Sequence, residues 1–238
     1  MHTISDPFGH LPKNGRIKHR AELPPVRKVT AFIINYNRLT YLRQMVEWCQ
    51  SHGLRPVVID NASTYPPLLT YYGTNPCEII RLNKNHGHTV AWSRVIRLPR
   101  ERYIVTDPDL DMSGVPDDFL EVMNRGLDLY PAAPKCGLSL EVNDLPSNEY
   151  TDFVKNWESD FWLRPLDGMY FDADVDTTFA LYREGNHSHG YKAIRVNRPY
   201  TARHYCWYYT DMESIPEDER HYYQTANDSA SYKKHLIR

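Results

Sequence analysis

Four short apolar runs, each followed by polar residues, recur in the first half of the chain and constrain its fold most strongly. The runs cover residues 29–35, 56–60, 78–82 and 102–106. The first run is continuously β-prone, which is typical of a strand buried on both faces of a sheet, and the second is a further predicted buried strand. Segments predicted to be helical follow them, at 39–52, 65–72, 90–96 and 117–129. This alternation predicts an α/β fold in which helices flank a mostly parallel central sheet.

The pattern loosens beyond residue 130. Residues 137–140 and 175–182 are predicted strands, residues 148–160 are a predicted helix, and the aromatic-rich, charged part from Tyr200 onwards has no assignment. No repeat or low-complexity linker divides the chain. We therefore expect a single domain over residues 28–238, preceded by an extended arm over residues 1–27.

The composition argues against several classes of protein. The chain has 238 residues, of which 41% are hydrophobic, and its net charge of −2 gives no overall electrostatic case for nucleic acid binding. One basic segment, Lys13 to Lys28, is predicted to be solvated, with contact to a polyanion as the alternative. The four cysteines form no CxxC pair, which argues against a zinc knuckle and predicts reduced thiols. Neither a membrane-length apolar stretch nor a signal core is found, so we expect a cytoplasmic protein without a transmembrane segment.

Three carboxylates spaced two residues apart follow the fourth apolar run. Asp107, Asp109 and Asp111 point the same way if this segment is extended, and unpaired they repel one another. A divalent cation relieves that repulsion, and hard oxygen ligands suit Mg²⁺ or Mn²⁺. The alternative is an acidic loop that caps the following helix, and the spacing by itself does not decide between the two.

Polar residues also follow the other three runs. Because the carboxyl ends of parallel strands meet at one edge of a sheet, these residues are predicted to line a single crevice together with the acidic triplet. They are Asn35, Asn37 and Arg38 after the first run, Asp60 after the second, and Asn85, His86 and Gly87 after the third.

In their order and spacing, these motifs resemble those of GT-A-fold glycosyltransferases, most closely the family-2-like group. The resemblance covers about residues 28–125 well and the rest of the chain loosely. The segments AFIINYNR and VVIDNAS are similar to the two strands and loops that meet the nucleotide. RLNKNHGHTVAWSR is similar to the segment ahead of the donor-contacting helix, YIVTDPDLD to the strand with the DxD motif, and VPDDFLE to the helix start after it.

The resemblance implies a nucleotide-sugar-binding half over residues 28–130 and an acceptor-binding half over residues 131–238. It implies that Asp109, Asp111 and His204 hold Mn²⁺ or Mg²⁺, because many GT-A enzymes complete the metal shell with a C-terminal histidine. A stacking or surface role for His204 is the alternative. The residues that the resemblance assigns to the nucleotide sugar are Asn35, Asn37, Arg38, Asp60, Asn85, His86, Gly87 and Asp107.

A second acidic cluster, Asp172, Asp174 and Asp176, contains the candidate general base. In inverting GT-A enzymes a carboxylate from this region deprotonates the acceptor hydroxyl. Asp176 is the first choice because the apolar run at residues 179–181 would hold it at the start of a strand, and Asp174 and Asp172 are close rivals. An acidic turn without a catalytic role is the alternative.

The resemblance thus implies a metal-dependent glycosyltransferase that moves a sugar from a nucleoside-diphosphate donor, by preference a UDP-sugar, to an acceptor hydroxyl with inversion. The acceptor is a glycan or another hydroxyl-bearing molecule, with modified nucleic acid as the less favoured option. A nucleotidyltransferase ranks lower, because the segment INYNRLTYL lacks the glycines of a phosphate-binding loop. A non-catalytic nucleotide- or glycan-binding module of the same fold is a further alternative.

Overall fold

The structure, a computed structural model, describes residues 28–226, so the predicted N-terminal arm lies outside the described residues. The described strands are β1 Thr30–Asn35, β2 Arg55–Asp60, β3 Glu78–Arg81, β4 Tyr103–Thr106, β5 Leu110–Asp111, β6 Lys135–Leu140, β7 Tyr170–Asp172, β8 Ala180–Tyr182 and β9 Ile194–His204. The described α-helices are α1 Thr40–Ser51, α2 Pro66–Tyr72, α3 Phe119–Leu129, α4 Glu149–Ser159 and α5 Glu217–Thr225. None of these helices is long and apolar enough to span a bilayer.

The strands form one mixed sheet. Its order is β3-β2-β1-β4-β8-β6-β9-β5, and β7 pairs with β9 beside this path. The first four strands in this order run parallel, as the β-α alternation predicted. β8 runs antiparallel to both β4 and β6, whereas β6 and β9 are parallel. The α/β class is confirmed, and the expectation of a mostly parallel sheet is correct for the first half of the sheet only.

Packing explains why β8 lies between β4 and β6. Tyr182 of β8 is the register partner of Tyr103 of β4, and their rings stack with centroids 5.1 Å apart. On the other side, a Cβ added to Gly137 of β6 would come within 2.5 Å of Val175, so only glycine leaves room for the loop that leads into β8. Both features depend on contacts between distant parts of the chain, which periodicity does not report.

Two predicted elements differ in length from those observed. The helix expected over residues 90–96 is a single 3₁₀ turn, Val90–Trp92, because Ser93 adopts an extended backbone and its hydroxyl donates to the carbonyl of Val90 at 2.6 Å. The strand expected over residues 175–182 is only Ala180–Tyr182. Its first half is an irregular loop that carries the acidic cluster.

The core lies on both faces of the sheet, as the continuous apolar runs require. In β1, Ala31 and Ile33 pack on the face covered by α1 and α3, whereas Phe32 and Ile34 pack on the other. Successive residues of a strand point to opposite faces, so a strand covered on both sides is apolar throughout. The predicted stripe of α1 is buried against the first face through Leu42, Met45, Val46 and Cys49.

β9 carries the chain from the mixed half of the sheet to the acidic triplet. Its first residues pair with β6 and β7, and its last residues pair with β5. Leu110 pairs with His204, and the backbone N–H of Tyr205 donates to the carbonyl of Asp109 at 3.0 Å. Backbone hydrogen bonds therefore attach the aromatic-rich part of the sequence to the triplet.

A buried ion pair ties α4 to β9. Arg195 Nη1 donates to Glu158 Oε2 at 2.8 Å, and only 5% and 3% of the two side chains are exposed. Arg195 Nε also donates to the carbonyl of Asp174 at 2.7 Å, and the guanidinium lies over the ring of Phe161. The pair therefore holds the loop before β8 as well as the helix.

Glu158→Gln is expected to lower the free energy of unfolding by ~3–5 kcal/mol, because it leaves Arg195 buried without a counter-charge. Chemical denaturation followed by circular dichroism measures the loss. The matched control is Glu78→Gln, which breaks an exposed pair with Arg55 and is expected to cost ~1 kcal/mol or less. Equal losses in the two variants would contradict the role assigned to the buried pair.

A second buried charge, Lys135, fastens two loops to the start of β6. Its side chain is fully buried, and Nζ donates to the carbonyl of Val175 at 2.6 Å and to the carbonyls of Asp176 and His189 at 3.3 Å. Nζ also contacts the hydroxyl of Tyr182 at 3.2 Å. Burial lowers the pKa of Lys135 to about 8, although nearby carboxylates oppose this shift.

Lys135→Met is expected to destabilise the protein by ~1–3 kcal/mol, because buried carbonyls lose their donor. The loss should grow with pH. Between a folded pKa of about 8 and the ordinary value of 10.5, the unfolded state binds more protons at this lysine, so wild-type stability gains a contribution that the variant lacks. Melts at about pH 7.5 and about pH 9.5 measure the difference, with the exposed-site variant Lys84→Met as the control. Parallel pH slopes for wild type and Lys135→Met would refute the lowered pKa of Lys135.

Candidate functional site

Two carboxylates, Asp107 and Asp109, lie just past the end of β4, next to the ends of β1 and β2. Asp109 is only 2% exposed, and Asp107 Oδ2 accepts a hydrogen bond from Thr177 Oγ1 at 2.7 Å. Burial and the negative charge of Asp109 raise the pKa of Asp107 to about 7. For Asp109, burial opposes ionisation, but the positive charge of Arg38 and, after it, the nearby ring of His204 hold its pKa below the ordinary value. The two neighbouring acids thus shift in opposite directions, a conflict that a nearby cation relieves.

His204 and Cys206, at and just after the end of β9, complete this group. Three possible donor atoms lie within 4.8 Å of one another, one each from Asp109, His204 and Cys206. His204 Nδ1 is 3.7 Å from Asp109 Oδ2 and 2.9 Å from Cys206 Sγ. Burial lowers the pKa of His204 and raises that of Cys206 well above its ordinary value, so the imidazole is neutral and the thiol stays protonated. Carboxylate and neutral imidazole suit a divalent cation such as Mn²⁺, whereas a protonated thiol adds no ligand.

Arg38 supplies the positive charge that faces Asp109. Its Nη1 lies 2.7 Å from Asp109 Oδ2, and its Nε lies 3.2 Å from Glu219 Oε1. The ring of Tyr222 stacks on the guanidinium at 3.9 Å. Burial raises the pKa of Glu219 to about 8 even beside Arg38. One guanidinium therefore lies between two buried acids, of which Asp109 is the one that stays ionised.

Helix α5 covers the site, and the sequence analysis did not assign it. Asp218 accepts hydrogen bonds from the backbone N–H groups of Leu39 and Thr40 at 2.6 and 2.8 Å, which docks α5 on the first turn of α1. Glu219 and Tyr222 follow three residues apart and so share one face of the helix. The segment EDERHYYQT is polar enough to be typical of an exposed helix, so its burial was not detectable from hydrophobicity.

Asn35 and Asp60 are register partners at the ends of β1 and β2, and both are buried. Asp60 accepts hydrogen bonds from the Tyr72 hydroxyl at 3.1 Å and from the backbone N–H of Ser63 at 3.3 Å. Asn35 Nδ2 donates to the Tyr72 hydroxyl and to the carbonyl of Arg38, both at 3.0 Å. Asn35 Oδ1 is buried and finds no hydrogen-bond partner within the described part of the chain. An orphaned acceptor beside a carboxylate is suited to an N–H donor of a ligand.

Asn37 is engaged by its neighbouring loops. Its Oδ1 accepts hydrogen bonds from the backbone N–H groups of Thr64 and Tyr65 at 2.7 and 3.0 Å, and its Nδ2 donates to Thr225 Oγ1 at 3.0 Å. Its φ of +56° lies in the left-handed region, which Asn tolerates better than most residues do. The structure therefore places Asn37 where it joins the loops after β1 and β2 to α5.

The loop after β3, which carries Asn85, His86 and Gly87, is held in place by Asn61. Asn61 Oδ1 accepts the backbone N–H of His86 at 3.0 Å, and its Nδ2 donates to the carbonyl of Gly87 at 2.9 Å. Asn85 Oδ1 accepts the backbone N–H of Gly87 at 2.8 Å, in a tight turn. Asn61 was not among the predicted site residues, although it directly follows Asp60 at the end of β2. It is the residue that joins this loop to the crevice.

Asp111 lies outside the group that forms around Asp109. Its Oδ1 accepts the backbone N–H of Ser113 at 2.9 Å, and across the sheet it pairs with Arg203. The donor atoms gathered around Asp109 belong to His204 and to Cys206 instead. The turn that follows β5 therefore engages the third carboxylate of the triplet.

Among the candidate bases, Asp176 is the one whose negative charge acts on the buried carboxylate of Asp107. It contributes to the raised pKa of Asp107 and is exposed. Asp172 lies in β7 and pairs with Arg164 at 3.4 Å. Asp174 is exposed, and its carbonyl is held by Arg195. The choice of Asp176 as the general base therefore stays a prediction.

No protein-family model matches this chain, and a search of curated proteins finds no match to it. What the chain can do therefore follows from the site itself. Two acids of opposite pKa shift, a neutral imidazole and a pair of buried acceptors meet at one edge of the parallel strands.

Proposed function

We propose that this chain is a metal-dependent glycosyltransferase that moves a sugar from a nucleoside-diphosphate donor to an acceptor hydroxyl. The observation that carries the proposal is the group of Asp109, His204 and Cys206, with Asp107 in electrostatic contact with Asp109, near the carboxyl edge of the parallel strands. That edge is where open α/β sheets bind nucleotides. Carboxylates and a neutral imidazole are ligands for Mn²⁺ and, less strongly, Mg²⁺.

The ends of β1 and β2 are proposed to bind the base of the donor. Asn35 Oδ1 and the carboxylate of Asp60 are buried acceptors side by side, and the first has no partner of its own among the described residues. A base that presents an N–H at its edge satisfies them, and uracil does so. This supports a UDP-sugar as the donor. The loop of Asn85, His86 and Gly87, clamped by Asn61, borders the same crevice.

Asp109 and His204 are proposed to hold the cation, with Asp107 beside them. The bound cation supplies Lewis-acid stabilisation to the departing diphosphate. Arg38 adds a permanent positive charge within 2.7 Å of Asp109, and its planar guanidinium matches phosphate oxygens. Tyr222 and Glu219 of α5 hold that guanidinium in place.

Asp176 is proposed as the general base. Its carboxylate is exposed to an incoming acceptor, and its charge acts on Asp107. Removal of the hydroxyl proton as the oxygen attacks the anomeric carbon from the face opposite the diphosphate leads to inversion. Lys135 holds the backbone of Asp176 through its carbonyl.

The Arg38–Asp109 ion pair favours a second candidate, a nucleotide- or glycan-binding module of the same fold without turnover. In this structure the guanidinium already neutralises the carboxylate that a cation needs. Such a module would bind nucleotide without any dependence on metal.

Asp109→Asn is expected to abolish the metal-dependent part of nucleotide binding, because it removes the only carboxylate of this group whose pKa is depressed. A thermal-shift series with UDP, other nucleoside diphosphates and nucleotide sugars, with and without Mn²⁺, measures binding to the folded state. The matched control is Asp111→Asn, which is expected to keep the wild-type shift, because Asp111 lies outside the group.

A rise in the melting temperature of the wild type that nucleotide causes equally with and without Mn²⁺ would support the non-catalytic module. Absence of any nucleotide shift in the wild type would overturn the proposal altogether. If Asp111→Asn loses as much of the Mn²⁺-dependent thermal shift as Asp109→Asn does, Asp111 belongs to the metal site.

Asp176→Asn is expected to lower kcat for sugar transfer by about 10²–10⁴-fold while leaving donor binding intact, because it removes the base and not a donor contact. Product formation by chromatography gives kcat, and the thermal shift gives donor binding. Asp174→Asn is the matched control, since it is exposed in the same loop and is expected to transfer at the wild-type rate. If Asp174→Asn shows the larger loss, the base is Asp174.

A further inference from the structure

A second group of side chains able to bind a metal lies among the loops after β3 and on either side of β8. His88 of the loop after β3, Asp176 of the loop before β8 and His189 of the loop after β8 have donor atoms within 4.8 Å of one another. His189 Nε2 is 3.4 Å from Asp176 Oδ1, and the rings of His88 and His189 meet edge to face. This group shares no residue with the one formed by Asp109, His204 and Cys206.

We propose that His88, Asp176 and His189 form a site for a divalent transition-metal ion, with Zn²⁺ as the representative ligand. Two imidazoles and one carboxylate are the ligand set of many zinc sites that keep an open position. Nitrogen ligands favour Zn²⁺ and Co²⁺ over Mg²⁺. The site therefore offers two nitrogen donors and one oxygen donor, whereas the group at the end of β4 offers one nitrogen and one oxygen donor, from His204 and Asp109.

The Nε2 atom of His189 is buried from solvent and faces Asp176, with which it makes only a long, weak contact. In a tetrahedral Zn²⁺ site with bonds of about 2.0–2.1 Å, neighbouring donor atoms lie about 3.4 Å apart. The Nε2 to Oδ1 distance of 3.4 Å already has that value. His88 is exposed, so rotation of its side chain is free to bring the third donor into place.

The surroundings hold two of the three ligands in position. Lys135 Nζ donates to the backbone carbonyls of both Asp176 and His189, so one buried side chain links the two loops. The ring of His189 also packs against Trp92, with centroids 4.8 Å apart. Backbone and ring supports of this kind orient ligands in metal sites. These contacts show a built site and not three polar residues that meet by chance on the surface.

Occupation of this site engages Asp176, and this consequence rests on the proposed function. A carboxylate bound to Zn²⁺ is a weaker base, so Zn²⁺ is expected to inhibit sugar transfer while Mn²⁺ supports it. The protein would then carry an activating cation at one group and an inhibitory one at the other.

Titration with Co²⁺, followed by its visible absorption, tests the site without any need for activity. The titration uses Asp109→Asn as its background, because the group at Asp109 would also take Co²⁺. This protein is expected to bind one Co²⁺ that Zn²⁺ displaces, and adding His88→Ala is expected to weaken that binding about tenfold or more. Adding His187→Ala instead, at a neighbouring exposed histidine outside the group, is expected to leave the binding unchanged. Circular dichroism verifies that each variant is folded, and His88→Gln replaces His88→Ala if the latter is not.

Equal Co²⁺ affinity with and without His88→Ala in the Asp109→Asn background would overturn the site, and so would absence of Co²⁺ binding in Asp109→Asn itself. Zn²⁺ inhibition of transfer is then compared in wild type and His88→Ala, each relative to its own uninhibited rate. If Co²⁺ binding depends on His88 but no sugar transfer is found, the metal site stands and the proposed function fails. If transfer is found but Zn²⁺ inhibits both proteins equally, the inhibitory role is refuted.

Discussion

The buried charge of Asp109 is the constraint on which the rest of the site depends. An ionised carboxylate at 2% exposure is strongly unfavourable unless positive charge lies beside it. Arg38 supplies that charge at 2.7 Å, and His204 stands at 3.7 Å. Both partners need further support: α5 holds the guanidinium through Glu219, and β9 brings the histidine by pairing with β5. Burial of the charge of Asp109 therefore requires Arg38, near the start of the described chain, to meet β9 and α5, near its end.

The sequence predicted well the half of the fold in which each strand and helix packs against elements that are close to it in the chain. The inner residues of β1, β2 and β4 are apolar and buried because the core covers both faces of the sheet, whereas β3, at the edge, is only half-buried. Parallel pairing then brings Asn35 and Asp60 together without further information. The same logic placed Asp107 and Asp109 at that edge. Strand periodicity and chain order were sufficient here because each βα unit buries its own surface against its sequence neighbours.

What could not be predicted depends on contacts between distant residues. β8 enters the sheet through the Tyr103–Tyr182 stack, and nothing in its three residues specifies a position between β4 and β6. Glu219 and Tyr222 belong to a helix too polar to be recognised as buried. For Asp111, alternation along an extended segment suggested convergence with Asp109. The turn after β5 instead uses its carboxylate to accept the Ser113 N–H, a local bond that alternation does not consider.

Asp176 links the two groups of ligands, and this has a consequence for how they can be occupied. Its carboxylate is 3.4 Å from His189 and raises the pKa of Asp107, which already lies beside Asp109. A cation at either group neutralises part of this shared negative charge. Each cation therefore weakens the attraction felt by the other, so binding at the two groups should be anticooperative. Lys135 donates to the Asp176 carbonyl and so holds the backbone of the residue through which the two groups are coupled.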